Sequence, residues 1–458
     1  MKTRVALVSL GCAKNLVDSE VMIGLLSEAG FEPVVNLNKA DVLIANTCAF
    51  IDEAQQEAID TILRLAELCK KSPSRRLIVT GCLAQRFPQD LLDEIPEIDA
   101  VVGTGDFSKI VKVVKDTLDG RRVKLVSKQP CFIYDETFPR CISTPRYTAY
   151  VKIAEGCSNH CSYCVIPEVR GKFRSRPIHS IVEEARNLAA RGARELILIA
   201  QDTTRYGQDL YGAYALDKLL KEVCQIDEVE WVRVLYMYPT RVTDELIEVM
   251  ASEPKVCKYV DLPLQHVDDE LLKLMNRHGT HEQARQTIDK LRQAIPDITI
   301  RSTFIVGFPG ETDAKFRSLL DFLKEVRLDR VGVFTYSPQA GTAAPRLSRS
   351  VKQSVKEMRK REAMEVQRLI SREKNEAKIG RSMKTLIEGR SEESELVTIG
   401  RSQAEAPEID GLIYIGNLHP EPGEFRFVKI TDAGDYDLVG EIVTPHLEGN
   451  MKAMEKEH

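Results

Sequence analysis

The sequence lacks the features of a membrane protein and of a protein that binds nucleic acid through its overall charge. It has no apolar run of roughly 18 residues or more, the length that a transmembrane helix needs. Its start, Met-Lys-Thr-Arg-Val-Ala-Leu, is expected to form a strand rather than a signal peptide. The formal net charge is −5, so the chain as a whole lacks the excess of positive charge that is typical of nucleic-acid-binding proteins. We therefore expect a cytoplasmic protein with no membrane contact.

The sequence also has no low-complexity segment and no short repeat. With 458 residues, of which 43% are hydrophobic and 29% charged, it is typical of a globular protein with two or three domains. Cysteine, in contrast, is frequent, with 11 residues. In a chain with no sign of export, this number indicates metal or redox chemistry rather than disulfides.

Three of the cysteines lie close together after a strand-like run over Thr148–Gly156: Cys157, Cys161 and Cys164. Thiolates this close, with no histidine at zinc spacing, favour an iron–sulfur cluster. A cubane cluster normally takes four thiolates, so three would leave one iron open for chemistry. A zinc knuckle with a distant fourth ligand and a chance grouping of core cysteines are the alternatives, although the second close pair of a typical zinc site is missing.

Residues 1 to about 120 alternate strand and helix patterns, which predicts a doubly wound parallel sheet. Cys12, Cys48 and Cys82 each follow one of its strands and precede a helix, and Asn15 is a candidate cap for the first of these helices, over Leu16–Glu28. Open α/β sheets bind ligands along the carboxyl edge, so we expect these cysteines to converge. Helix N-termini would favour their thiolates. The alternative is an ordinary buried cysteine, which is how we interpret Cys69.

From Tyr147 onward, six strand-like runs alternate with helical stretches, which predicts a partial (β/α)6 barrel with its chemistry at the carboxyl strand ends. After the fifth strand, Gly307 would allow a ligand close to the backbone. Glu311 and its neighbour Thr312 fit a simple turn before the next helix equally well. His266 is either a general acid or base or a histidine with satisfied hydrogen bonds at a strand end.

After a charged helix over about 348–379, the residue pattern changes to one that is typical of short strands separated by turns. This change predicts a small antiparallel β-barrel over 376–446. The segment carries fourteen Asp or Glu against seven Lys or Arg, a difference of −7. Phosphate binding needs the opposite sign, whereas a basic protein partner suits an acidic module.

The cysteine motif, with Tyr163 before its last cysteine, resembles the signature of radical S-adenosylmethionine (AdoMet) enzymes. In that superfamily, the open iron binds AdoMet, and reductive cleavage gives a 5′-deoxyadenosyl radical that abstracts hydrogen. The segments around Cys12, Cys48 and Cys82 resemble the N-terminal domain of the methylthiotransferases. The C-terminal segment is similar to the TRAM module of the same family.

The resemblance to methylthiotransferases implies two [4Fe–4S] clusters, with AdoMet as radical source and methyl donor. It implies three domains, at 3–119, 143–373 and 376–446. Gly307 and Glu311 resemble the AdoMet-binding turn of the fifth strand. The implied cluster ligands are Cys12, Cys48, Cys82, Cys157, Cys161 and Cys164.

Three stretches, Ile399–Gly411, Arg170–Pro177 and Leu264–Asp269, resemble the branch of the family that acts on a ribosomal protein. That branch methylthiolates the β-carbon of an aspartate in small-subunit ribosomal protein twelve and needs an external electron donor. The alternatives are the same chemistry on adenosine 37 of tRNA and a non-catalytic iron–sulfur carrier. Contact with nucleic acid is the less favoured interpretation.

Four basic residues alternate after the cysteine motif: Arg170, Lys172, Arg174 and Arg176. In an extended segment they would share one face. They are either solvated loop charges or contacts to AdoMet, to an acidic substrate side chain or to RNA phosphate. The two remaining cysteines of the connector over 121–145, Cys131 and Cys141, lack the local partners that a third metal site would need.

Overall fold

The computed structural model describes residues 2–443, which form three domains in the predicted order. The N-terminal domain alternates strands and helices, and it extends to residue 125, slightly beyond the predicted boundary. Its elements are β1 (Arg4–Ser9), α1 (Ala13–Glu28), β2 (Glu32–Pro33), β3 (Val42–Thr47), α2 (Asp52–Lys70), β4 (Arg76–Gly81), α3 (Cys82–Arg86), α4 (Pro88–Glu94), β5 (Ala100–Val102), α5 (Ile110–Leu118) and β6 (Val123–Leu125).

All six strands of this domain are parallel, in the order β2-β1-β3-β4-β5-β6. Apolar residues of α1 and α5 cover one face of the sheet, and those of α2, α3 and α4 cover the other. The doubly wound prediction is therefore confirmed. Strands β2 and β6 were not predicted, because each is only two or three residues long. The strand order reverses between β1 and β3, which opens a crevice at their carboxyl ends.

The central domain continues the alternation. Its elements are β7 (Thr148–Lys152), β8 (Ala154–Glu155), α6 (Ile166–Arg170), β9 (Arg174–Ser175), α7 (Ile178–Ala190), β10 (Glu195–Ile199), α8 (Gln208–Tyr211), α9 (Leu216–Cys224), β11 (Trp231–Val234), α10 (Asp244–Ser252), β12 (Tyr259–Asp261), α11 (Asp269–Leu274), α12 (His281–Ala294), β13 (Thr299–Val306), α13 (Asp313–Val326), β14 (Arg330–Thr335) and α14 (Gln353–Glu376).

Six of these strands form the predicted partial barrel. Two parallel sheets, β7-β10-β11 and β12-β13-β14, meet at the parallel bridge between Val232 and Val256. The short pair β8 and β9 stands apart as an antiparallel ribbon next to the cysteine motif. Helices α7, α9, α10, α12 and α13 supply apolar side chains to the core around the sheets, and α14 contacts β14 and α13. The carboxyl ends of the strands therefore share one mouth.

The C-terminal domain is a closed five-stranded barrel in the order β15-β16-β17-β19-β18. Neighbouring strands are antiparallel except for β17 and β19, which pair in parallel. Residues 444–446 of the predicted domain lie outside the described residues. The strands are β15 (Ser382–Arg390), β16 (Thr398–Ser402), β17 (Ile413–Ile415), β18 (Phe425–Ala433) and β19 (Leu438–Ile442).

Buried ion pairs attach the small barrel to the central domain. Glu195, the first residue of β10, accepts hydrogen bonds from Arg233 Nε at 2.9 Å and from Arg401 Nη2 at 2.7 Å. All three side chains are at most 1% exposed. The small barrel is thus fixed at the amino ends of the strands, away from the mouth. Between residues 2 and 443, no helix is both long enough and apolar enough to cross a bilayer.

Candidate metal centre

Cys12, Cys48 and Cys82, here called the N-terminal trio, lie at the carboxyl ends of β1, β3 and β4, which are neighbours in the sheet. Cys12 is the N-cap of α1, and Cys82 is the first residue of α3. The trio therefore surrounds the crevice where the strand order reverses, as the sequence predicted.

Two glycines allow the loops of the N-terminal trio to approach each other. Gly11 has φ +88°, and a Cβ there would lie 2.8 Å from Cys48 Cβ and 3.1 Å from its Sγ. Gly81 has φ +93°, and a Cβ there would lie 2.5 Å from Thr47 O. Both positions combine a left-handed backbone with a close contact, so a larger residue would push the cysteine loops apart.

Asn15 and Asn46 fix the same loops by hydrogen bonds. The amide nitrogen of Asn15 donates to Leu10 O at 3.0 Å and to Thr47 O at 2.9 Å. Asn46 Nδ2 donates to Asn15 O at 2.8 Å. Asn15 lies inside α1 and does not cap it, contrary to the helix start suggested by the sequence. These buried amides hold the strand ends in one arrangement whether or not a cluster is bound.

Two buried cations face the N-terminal trio. Burial would raise the pKa of the Cys12 thiol, but the Lys14 ammonium and the Arg170 guanidinium outweigh it and lower that pKa. Burial raises the pKa of Cys82 to about 12, and it also raises the pKa of Cys48. A metal must therefore displace protons from two thiols, as happens when iron or zinc binds.

Cys157, Cys161 and Cys164, here called the barrel trio, lie in the loop that follows β8. Backbone bonds fold this loop: Cys157 N donates to Gly171 O at 3.1 Å, and Cys164 N donates to Cys161 O at 3.0 Å. His160 has φ +50°, a conformation uncommon outside glycine, and its carbonyl accepts from Asn276 Nδ2 at 2.8 Å. The loop is therefore held in one compact shape.

Arginines and one tyrosine surround the barrel trio. Arg277 Nη1 lies 4.0 Å from Cys161 Sγ, and its guanidinium is 4.3 Å from the ring centroid of Tyr238. Arg241 lies over the same ring, also at 4.3 Å, and pairs with the buried Asp202. Burial raises the pKa of the Cys157 thiol to about 11. The cations offset the negative charge that thiolates would bring to this loop.

The loop of Cys12 meets the mouth of the partial barrel at the junction of the first two domains. Lys14, two residues after Cys12, places its ammonium 3.3 Å from the ring centroid of Tyr236 at the barrel mouth. Tyr236 has φ +62°, and Gln265 at the end of β12 has φ +71°. Such strain in non-glycine residues clusters at functional sites.

No three His, Cys, Asp or Glu side chains within residues 2–443 converge closely enough to hold a single metal ion. A four-iron cluster binds each thiolate at a different iron, so its ligands need to surround a cube rather than meet at a point. Within each trio the thiols lie near enough for their charges to interact, and an arginine lies beside them. Cluster binding by these six cysteines stays a prediction. No fourth protein ligand is needed where one iron takes a substrate or cofactor.

The structure shows what the predicted AdoMet-binding residues contact. The Glu311 carboxylate accepts from Gly307 N and from Arg359 Nη1, the latter at 2.7 Å, and lies 3.3 Å from His266 Nε2. His266 Nδ1 accepts from Asp268 N at 3.0 Å. His266 is thus a buried histidine with both ring nitrogens in contact with partners. Glu311 holds the turn from within, and AdoMet binding by Gly307 and Glu311 stays a prediction.

Two of the four alternating basic residues are buried in ion pairs, which neither interpretation from the sequence had predicted. Arg170 is 1% exposed and Arg176 is 0% exposed. Arg176 pairs with Glu184 of α7, which also pairs with Arg140 of the connector between the domains. The four residues do not share one face of an extended segment, because Arg170 ends the helix α6 and Lys172 is exposed, whereas Arg170 and Arg176 are buried. Asp18, one partner of Arg170, is 152 residues away in sequence, so no local pattern could have revealed that pairing.

Three family descriptions match successive parts of the chain. Residues 4–103 match the uncharacterized protein family UPF0004, residues 151–323 match the radical SAM superfamily, and residues 379–443 match the TRAM domain. Together with the partial barrel and the cysteine motif, these matches define a radical AdoMet enzyme.

Similar full-length proteins carry the name ribosomal protein uS12 methylthiotransferase RimO. The protein from Desulforamulus reducens is 51% identical over 96% of this chain and 99% of its own length. Those from Geobacter sulfurreducens and Clostridioides difficile are 49% and 47% identical over 97% and 96% of this chain, and each is covered over 99% of its length. The chain therefore belongs to the RimO family of methylthiotransferases. Its cofactors are [4Fe–4S] clusters and AdoMet.

Solved structures agree on the fold. The radical AdoMet methyltransferase TsrM from Kitasatospora setae has a TM-score of 0.55 at 16% identity, over 74% of this chain and 75% of its own. The cobalamin-dependent radical enzyme OxsB has a TM-score of 0.50 at 11% identity, over 81% of this chain and 56% of its own. At such low identity, these likenesses establish the fold alone.

Proposed function

We propose that the protein methylthiolates ribosomal protein uS12 at the β-carbon of an aspartate. The observation that carries this proposal is the contact of Lys14, next to the N-terminal trio, with Tyr236 at the barrel mouth, in a chain that is 51% identical to a relative that bears this name. A ribosomal substrate and an external electron donor would both be met in the cytoplasm.

The N-terminal trio and the barrel trio would each hold one [4Fe–4S] cluster. When bound, these clusters and AdoMet supply hydrogen-atom removal at an unreactive carbon and the sulfur that is attached there. The contribution of the chain is geometry and electrostatics. Gly11 and Gly81 keep the N-terminal loops close together, while Lys14, Arg170 and Arg277 offset thiolate charge.

The acidic surface of the small barrel supports a basic protein substrate over tRNA. Arg401, one of its few cations, is buried against Glu195 and Glu388 and contributes nothing to the surface. The exposed loop between β15 and β16 carries Glu392, Glu393 and Glu395. Glu405 is buried as well, and the exposed part of the small barrel keeps an excess of acidic groups, which repels RNA phosphate and attracts a basic ribosomal protein.

The substrate assignment is tested by incubating reconstituted, reduced enzyme and AdoMet with purified uS12 and, separately, with unmodified tRNA. We expect the mass of one methylthio group to be added to uS12, at its aspartate, and no change in the tRNA. A uS12 variant with asparagine in place of that aspartate serves as the matched control. Modification of tRNA alone would contradict the proposal in favour of the nucleic-acid branch of the chemistry.

Glu311 provides a test of the proposed AdoMet turn. Glu311→Gln keeps the shape but removes the charge that pairs with Arg359, so we expect a loss of about 1–3 kcal/mol of stability and weaker AdoMet binding. Thermal unfolding and AdoMet-binding calorimetry measure the two effects. Glu282→Gln, at an exposed position of α12, is the control and should change neither. AdoMet affinity equal to that of the unchanged enzyme would remove Glu311 from the site.

A further inference from the structure

Arg170 connects the two trios physically. It is the last residue of α6, the short helix that begins directly after Cys164 and Val165. Gly171, with φ +75°, ends the helix and turns the chain away. The guanidinium is thereby directed out of the barrel domain and into the N-terminal domain, where it is 1% exposed.

One edge of this guanidinium is paired with carboxylates. Nη1 donates to Asp18 Oδ2 at 2.9 Å and to Glu155 Oε2 at 3.0 Å. Lys152 pairs with the same two acids and donates to Glu155 at 2.7 Å. The two cations and the two carboxylates of this group carry no net charge together. The need to balance the buried acids therefore does not explain why Arg170 also extends to the N-terminal trio.

The other edge faces the N-terminal trio. Nη2 donates to Asn15 Oδ1, the same oxygen that lies 3.9 Å from Cys82 Sγ. The Arg170 charge opposes the rise that burial causes in the pKa of Cys82 and helps to lower the pKa of Cys12. Within residues 2–443, Lys152 by contrast hydrogen-bonds the two acids and no cysteine. Arg170 is thus the one member of the ionic group that reaches the thiols.

We infer that Arg170 is a positioning residue through which the loop of the barrel trio sets the geometry and the reduction potential of the group held by the N-terminal trio. The inference relies on the assignment of that trio as cluster ligands in the proposed function. A buried cation beside an iron–sulfur cluster stabilises the state with one more electron, because the interaction is weakly screened there. The bond to Asn15 adds a mechanical link, since Asn15 also holds the loops of Cys12 and Cys48.

The test measures the midpoint potential of the N-terminal cluster by EPR-monitored reductive titration. The background is the full-length protein with Cys157, Cys161 and Cys164 replaced by alanine, so that one cluster gives the signal. We expect Arg170→Gln to shift the potential to more negative values. Arg170→Lys keeps the charge but loses the second nitrogen of the guanidinium that hydrogen-bonds Asn15. Its midpoint potential should lie between those of Arg170→Gln and the background protein.

Lys152→Met is the matched control, because it removes a cation from the same ionic group without touching a thiol. We expect it to shift the potential less than Arg170→Gln does, because Lys152 hydrogen-bonds the two acids and no thiol. An unshifted Arg170→Gln, or an equal shift in Lys152→Met, would overturn the inference. If Arg170→Gln assembles no cluster, the iron content of the two variants is compared instead. Iron retained in Lys152→Met supports the positioning role of Arg170, whereas iron lost from both variants overturns the inference. No substrate enters this measurement, so failure of uS12 modification by the unchanged enzyme would refute the proposed function separately.

Discussion

Cys82→Ala is expected to abolish methylthiolation of the substrate while AdoMet cleavage continues. Cys82 belongs to the N-terminal trio, and the barrel trio is complete without it. Cys161→Ala should instead abolish both, because Cys161 lies in the barrel trio beside Arg277. Product mass, release of 5′-deoxyadenosine and iron content, measured on the same anaerobic preparations, separate the two variants.

Cys131→Ala is the matched control for these substitutions. Cys131 is an exposed thiol in the connector between the first two domains. Its replacement should leave iron content, AdoMet cleavage and methylthiolation at the levels of the unchanged enzyme. Full product yield from Cys82→Ala would show that the N-terminal trio holds no cluster that the reaction needs. Continued AdoMet cleavage in Cys161→Ala would show that the barrel trio holds no cluster that AdoMet cleavage needs.

Glu195→Ala is expected to cause the largest loss of stability among single substitutions away from the cysteines. Glu195 is fully buried between Arg233 and Arg401, so its removal leaves two guanidiniums without their main partner. Breaking a buried pair in this way typically costs about 3–5 kcal/mol. Urea denaturation followed by tryptophan fluorescence measures the loss, since the single tryptophan, Trp231, packs edge-to-face against Phe425 of the small barrel.

Asp244→Ala provides the comparison, because the pair of Asp244 with Lys290 is exposed. Its removal should cost at most about 0.5–1 kcal/mol. A loss of the same size for Glu195→Ala would mean that the buried network does not stabilise the junction between the barrels.

The same network predicts a dependence of stability on pH. Burial alone would raise the pKa of Glu195, but Arg401 and Arg233 outweigh it and lower that pKa from 4.5 to about 2. The stabilisation is therefore complete above pH 4.5 and is lost as the pH falls towards 2. Acid titration of the Glu195→Ala variant should lack this contribution, so the difference in stability between the two proteins should shrink across that interval.

Much of the candidate centre could be predicted from sequence because topology brings it together. In a parallel sheet, residues that follow neighbouring strands meet at one edge, so the positions of Cys12, Cys48 and Cys82 were sufficient to predict their proximity. The barrel trio needed no tertiary reasoning, since Cys157, Cys161 and Cys164 are neighbours in the chain. Strand and helix alternation likewise predicted the first two domains, and a change to short strands separated by turn signals predicted the third.

Other features depended on contacts between distant segments. Sequence reasoning treated Arg170 and Arg176 as solvated charges or ligand contacts, whereas both are buried in ion pairs. Asn15 was interpreted as a helix cap and instead fixes the loops of the N-terminal trio. The parallel pairing of β17 with β19 inside an otherwise antiparallel barrel also gave no local signal.

The sequence by itself determined which thiols belong to each trio and which kind of sheet carries them, because strand order and chain proximity are local or topological properties. Only the tertiary structure decided how the two trios are coupled. That coupling depends on the direction in which Arg170 and Lys14 point across a domain junction. The partners that fix this direction, Asp18, Asn15 and Tyr236, are brought together by packing rather than by any spacing along the chain.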